Sequence, residues 1–122
     1  IAMSAMYMAN HTKIKGIVSL TESGSTALWM SRISSGIPIF AMSSVEETLG
    51  RVTLFRGVFP IYHKIDERHD HAEVNRDVVR ELRKWNLANN GDKFIITKGD
   101  LTGVKGGTNA LKVIVVGQGL TP

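Results

Sequence analysis

The sequence predicts an α/β fold: a mostly parallel sheet with helices on both faces, closed by two strands that run antiparallel. Two observations carry this. Short β-prone runs alternate with helix-period segments along the whole chain, which is the pattern of strands joined by crossover helices. The last two runs, however, are joined by a glycine-rich stretch with no helix in it. A parallel crossover needs a longer connection, usually helical, so these two strands are expected as antiparallel neighbours.

The elements follow in order. Ile1–His11 is built largely from Ala and Met without Gly or Pro, which favours a helix, with His11 placed to complement the dipole at its end. Gly16–Leu20 is a first strand, stopped at Thr21-Glu22-Ser23-Gly24. Ala27, Leu28, Met30 and Ile33 have helical spacing and end at Gly36, a suitable C-terminal cap. Ile37–Met42 is a second strand, with Pro38 near its start, where a strand tolerates proline. Ser43 or Ser44 is expected to cap the next helix, with Glu46 and Glu47 on its favourable end and a run to about Leu54.

Gly57–Tyr62 is the third strand, and His63–His71 reads as a polar loop. Ala72–Trp85 then places Val74, Val78, Leu82 and Trp85 on one apolar stripe. Phe94–Thr97 and Leu111–Val116 are the closing strands on either side of the glycine-rich stretch.

Composition narrows the function classes. A chain of 122 residues, 43% hydrophobic and 21% charged, fits one soluble globular domain. It contains no cysteine, so disulfides, thiolate metal sites and cysteine nucleophiles are excluded; this suits a cytoplasmic protein. The formal charge of +4 raises the question of nucleic acid. Its cations are nevertheless scattered from Lys13 to Lys112, and the densest patch, Arg76–Lys84, interleaves Asp77 and Glu81 at helical spacing. That is a solvated helix face, and no nucleic-acid partner is expected. No apolar run approaches a bilayer span, so no membrane association is expected. Opening on Ile1, apparently within a helix, the chain reads as a fragment of something longer.

Two segments could carry chemistry. Thr21-Glu22-Ser23-Gly24-Ser25-Thr26 lies between the end of the first strand and the start of a helix, where ligands gather in doubly wound sheets. Unpaired amides at a helix start, a glycine and several hydroxyls together suit a phosphate. The same hydroxyls could simply cap the helix, and both readings stay open on sequence. No Gly-Lys-Ser/Thr follows, which argues against nucleoside triphosphate hydrolysis. The second segment, Lys98–Asn109, holds four glycines and Lys105, and could either close over a ligand or serve as a long hairpin turn. His63, Asp66, His69, Asp70 and His71 are too irregular for a metal site and are expected to form a solvated loop. No nucleophile–base–acid motif and no paired carboxylates in an evident cleft are present, so no catalytic residue is assigned.

Several ordered stretches resemble one family. Ile1-Ala2-Met3-Ser4-Ala5-Met6-Tyr7, Leu20-Thr21-Glu22-Ser23-Gly24, Ser31-Arg32-Ile33-Ser34-Ser35-Gly36, Pro38-Ile39-Phe40-Ala41-Met42-Ser43, Arg56-Gly57-Val58-Phe59-Pro60 and Gly107-Thr108-Asn109 are similar to the C-terminal domain of pyruvate kinase. The similarity is greatest to the bacterial form activated by AMP and sugar monophosphates. The resemblance implies a three-layer α/β/α sandwich on a five-stranded mixed sheet with its last strand antiparallel, and a further helix before Ile1. It implies a regulatory, subunit-contact domain of a homotetrameric glycolytic enzyme, with Mg and K bound in an absent barrel and no cofactor in this chain. It also implies that Thr21, Glu22, Ser23, Gly24, Ser25 and Thr26 clasp an effector phosphate, and that Lys105, Gly106, Gly107 and Thr108 belong to the loop closing over it.

Glu22 and Ser25 stand in the loop where many relatives carry arginine or lysine. A carboxylate there opposes an anion, and a lost guanidinium removes a bidentate contact. This points to a sugar monophosphate or AMP rather than a bisphosphate. The alternative is an assembly domain whose effector loop is vestigial.

Overall fold

The structure, a computed structural model, describes residues 13–33, 36–66, 68–98 and 110–117. The expected first helix, Ile1–His11, and Lys105, Gly106, Gly107 and Thr108 lie outside these residues. The chain forms β1 (Gly16–Leu20), α1 (Ser25–Ile33), β2 (Ile39–Ser43), α2 (Glu46–Val52), β3 (Val58–Tyr62), α3 (His71–Lys84), β4 (Lys93–Lys98) and β5 (Ala110–Val115). The five strands make one sheet in the order β3-β2-β1-β4-β5. The first four are parallel, and β5 runs antiparallel to β4, as expected.

Strand alternation sorts the core into two halves. Val18, Leu20, Phe40, Met42, Phe94 and Ile96 point to one face and pack with Val74, Val78, Val79 and Leu82 of α3. Ile17, Ile39, Ala41 and Ile95 point to the other, where Ala27 and Met30 of α1 and Val52 of α2 cover them. Helix, sheet and helix layers follow directly. Because β1, β2 and β4 are covered on both sides, their sequences are almost continuously apolar rather than alternating. Gly16 is needed for packing: a Cβ there would lie 2.9 Å from the Phe40 ring and 3.0 Å from that of Phe94.

Two local expectations are corrected. Neither Ser43 nor Ser44 caps α2; its N-cap is Val45, which has no side-chain cap bond. Ser43 instead continues β2 opposite Tyr62, and its hydroxyl accepts the Val45 N–H at 3.0 Å. The helix also stops at Val52, short of Leu54, which is 84% exposed.

Trp85 does not join the stripe formed by Val74, Val78 and Leu82; it is 57% exposed. Its position follows from how α3 ends. Asn86 takes φ +61°, its N–H donates to Arg83 O at 2.9 Å, and the Leu87 N–H donates to Leu82 O at 2.8 Å. This paired closure turns the chain off the helix at Trp85, and Asn tolerates the left-handed position better than most residues.

Candidate ligand site at the carboxyl edge of the sheet

β1 hands the chain to α1 through Thr21–Gly24, and side chains of α2 hold that turn. The Thr21 N–H still donates to Met42 O at 3.1 Å, so the first residue past the strand remains tied to β2. The Gly24 N–H donates to Thr21 Oγ1 at 2.8 Å, folding the turn on itself. Gly24 sits at φ +85°, and a Cβ there would meet Val52 Cγ1 at 3.0 Å, so both conformation and space demand glycine. The Thr48 hydroxyl donates to Glu22 O, and Arg51 Nη1 donates to Ser23 O at 2.8 Å. Two carbonyls of the turn are thereby engaged by α2.

The Gly24 carbonyl accepts the Leu28 N–H at 3.0 Å, the first bond of α1. The amides of Ser25, Thr26 and Ala27 therefore open the helix with no earlier carbonyl inside it to bind. No acidic side chain occupies this first turn, so the positive end of the helix dipole is not neutralised from within. Thr21 is fully buried, Glu22 and Thr26 are partly buried, and Ser23 is exposed. The turn thus presents helix-start amides and hydroxyls beside the Arg51 guanidinium, a set suited to an oxyanion.

The second predicted segment arises from the same edge. Lys98 ends β4 as the register partner of Leu20 on one side and of Ala110 on the other. Lys98, where the glycine-rich segment begins, therefore lies beside the end of β1, and Ala110 lies one strand further out at the same edge, although Lys105, Gly106, Gly107 and Thr108 themselves are outside the described residues. Lys98 is only 8% exposed. Burial holds its ammonium below the usual lysine range, Lys112 pushes the same way, and Asp70 at the start of α3 opposes them.

Thr48 and Arg51 carry no sequence signal that joins them to Thr21. They lie far along the chain from it, and only the pairing of β1 with β2 and the placing of α2 bring them there.

Of the loop expected over His63–His71, the described residues before α3 are a loop at the surface, and its side chains are also bonded to one another and to α3. Asp70 forms a capping box with Glu73. Asp66 binds Arg68 at 2.9 Å, and His69 Nδ1 lies 2.7 Å from Asp77 Oδ2. Among the described residues, no group of three or more His, Asp or Glu is arranged to hold a metal ion. Nor is any described helix long and apolar enough to cross a membrane.

The family described as "Pyruvate kinase, alpha/beta domain" matches residues 1–114. This chain belongs to that family. Similar curated proteins include a pyruvate kinase of Buchnera aphidicola (subsp. Acyrthosiphon pisum) and pyruvate kinase II of Salmonella typhimurium. Each is 46% identical over 117 residues, covering 95% of this chain and 24% of the relative. The chain therefore spans about a quarter of the length of these relatives. Among solved structures, Cryptosporidium parvum pyruvate kinase in complex with ADP superposes with a TM-score of 0.78 at 26% identity. It covers 94% of this chain and 23% of that one. The pyruvate kinase alpha/beta domain accounts for the sandwich and for its single antiparallel strand.

Proposed function

We propose that this chain is the effector-binding and subunit-contact domain of a cytoplasmic, homotetrameric pyruvate kinase, and that it performs no catalysis alone. The parent enzyme transfers phosphate from phosphoenolpyruvate to ADP, giving pyruvate and ATP. The magnesium and potassium this chemistry uses belong to the barrel part of the parent. The effector is a sugar monophosphate or AMP, its phosphate seated on the Ser25–Ala27 amides and the hydroxyls of the Thr21–Thr26 turn. Lys105, Gly106, Gly107 and Thr108 close over the remainder.

One observation carries this reading. Two carbonyls of the turn, those of Glu22 and Ser23, are drawn into α2, while the amides at the start of α1 have no carbonyl within the helix to bind; this favours a ligand that accepts hydrogen bonds. Arg51 supplies the positive charge that the loop itself lacks.

Titration with ribose 5-phosphate, AMP and glucose 6-phosphate, followed by amide chemical shifts, tests the reading. Shifts at Thr21–Thr26 and at Arg51 are expected at millimolar ligand. No shift there with any of the three would overturn the effector role. The alternative, an assembly domain with a vestigial loop, is favoured by Glu22, whose carboxylate stands in the same turn as the amides. It predicts self-association by sedimentation together with silence in the titration.

A further inference from the structure

The densest cluster of titratable side chains outside the Thr21 turn joins the β3–α3 loop to α3. His69 lies at its centre. Its Nδ1 is 2.7 Å from Asp77 Oδ2, and its Nε2 is 3.5 Å from Asp66 Oδ2 and 3.8 Å from Glu73 Oε2. One imidazole thus faces three carboxylates, Asp66 from the loop and Glu73 and Asp77 from the helix. Arg68 and Arg80 approach the same carboxylates, binding Asp66 at 2.9 Å and Asp77 at 3.0 Å. Further along, His63 Nδ1 lies 3.8 Å from Glu81.

The chemistry of the ring makes this arrangement proton-dependent. A neutral imidazole has one N–H donor and one bare acceptor nitrogen; the imidazolium has two donors. Here both nitrogens face carboxylates. Neutral His69 would set a lone pair against an anion on one side, whichever tautomer it adopted. Only the doubly protonated ring answers all three acids.

We propose that His69 is a proton-operated clasp, which fastens the β3–α3 loop and the first two turns of α3 to each other when doubly protonated and loosens when neutral. The hydrogen bond that His69 donates to Asp77 is the main cause that holds the imidazolium above the ordinary histidine value; burial opposes it, and the charges of Asp77, Asp66 and Glu73 add to it. The sign follows from linkage: the clasp is fully closed below the unfolded value of about 6.5 and is lost as pH rises through the higher folded value. The next residue, Asp70, caps α3 and acts electrostatically on Lys98 at the root of the glycine-rich segment. Loosening the clasp therefore frees the capped start of α3 at the ligand edge. Any effect on phosphate affinity rests on the proposed effector role, whereas the clasp itself does not.

The test uses the whole chain without ligand, so that it stands or falls apart from the effector titration. Imidazole nitrogen shifts are followed from pH 5 to 9, and exchange protection of the Val74 amide, which donates to Asp70 O at 2.9 Å, is measured over the same range. His69 is expected to titrate above pH 6.5. Protection at Val74, corrected for base-catalysed exchange, should fall through the same midpoint. His69→Gln should remove the pH dependence of that protection, and Asp77→Asn should move the midpoint down. A His69 midpoint at or below 6.5 would overturn the clasp, as would an unchanged loss of protection in His69→Gln. Should His69→Gln fail to fold, the wild-type midpoint and its displacement in Asp77→Asn decide the matter.

Discussion

Gly24 concentrates the demands on the turn after β1 in one residue. Its φ of +85° is left-handed, and the space a Cβ would fill is bounded by Val52 and Thr48 of α2. Thr48 also holds Glu22 O, so a shift forced on α2 would be passed to the carbonyls it grips. Gly24→Ala is therefore expected to cost about 1–3 kcal/mol, the range for a non-glycine residue held in a disfavoured backbone region. Urea denaturation measures this, and a loss below 0.5 kcal/mol (roughly the noise of a surface substitution) would contradict it. Thr21 offers a complementary probe, because its hydroxyl accepts the buried Gly24 N–H. Thr21→Val keeps the shape and removes the acceptor, leaving that donor unsatisfied at a cost of about 1–3 kcal/mol. If the effector reading is right, the same variant should weaken phosphate binding in the chemical-shift titration.

Among the elements, α3 depends most on its ends. Its start is fixed by the reciprocal bonds between Asp70 and Glu73, with Asp70 Oδ1 accepting the Glu73 N–H at 2.8 Å. Asp70→Ala is expected to cost about 1 kcal/mol, as loss of an N-cap generally does, and to lower amide protection in the first turn of α3 before the rest. Uniform loss along the helix would count against a local cap. How far the sequence could be read also differs by element. Val74, Val78 and Leu82 were legible because helical period is a local signal, whereas Trp85 was misassigned because the left-handed Asn86 ends the stripe one residue earlier. Ser43 looked like a cap by residue type, but its pairing with Tyr62 kept it in β2, a non-local bond outweighing a local preference. The Thr21 turn was readable for the same reason as α3: strand end, glycine and hydroxyls are contiguous. Arg51 and Thr48 were not, since their nearness to that turn depends on which strands are neighbours.

Across the whole molecule, the two edges of the sheet are built for different ends. The carboxyl edge carries the Thr21–Gly24 turn, the buried Lys98 and the His69 clasp, while the amino edge is fastened by backbone and charge together. There the Lys15 N–H donates to Lys93 O at 2.8 Å, the Val116 N–H to Asp92 O at 2.8 Å, and the Gly91 N–H to Val116 O at 2.9 Å. Asp92 completes the knot, its Oδ2 accepting the Asn89 N–H at 2.8 Å and the Lys15 ammonium at 3.1 Å. One residue so links three strands: the Asp92 carboxylate ties the approach to β1 to the turn before β4, and its backbone carbonyl holds the residue after β5. The Asn89 bond, and then Lys15, hold the Asp92 pKa below its ordinary value of 3.8. A depressed carboxylate contributes stability above its unfolded value and loses it as pH falls through the folded one. Asp66, lowered chiefly by its hydrogen bonds to Arg68, acts in the same direction. Thermal unfolding from pH 2 to 7 should therefore show the melting temperature falling below about pH 4. Asp92→Asn should lower it modestly at pH 7 and make the fall below pH 4 shallower, because one of the carboxylates that must be protonated is gone. The Lys15→Met variant should reproduce only part of that change, since the Asn89 bond remains. An acid limb of unchanged steepness in Asp92→Asn would show that the three strands are held at this edge by their backbone bonds alone.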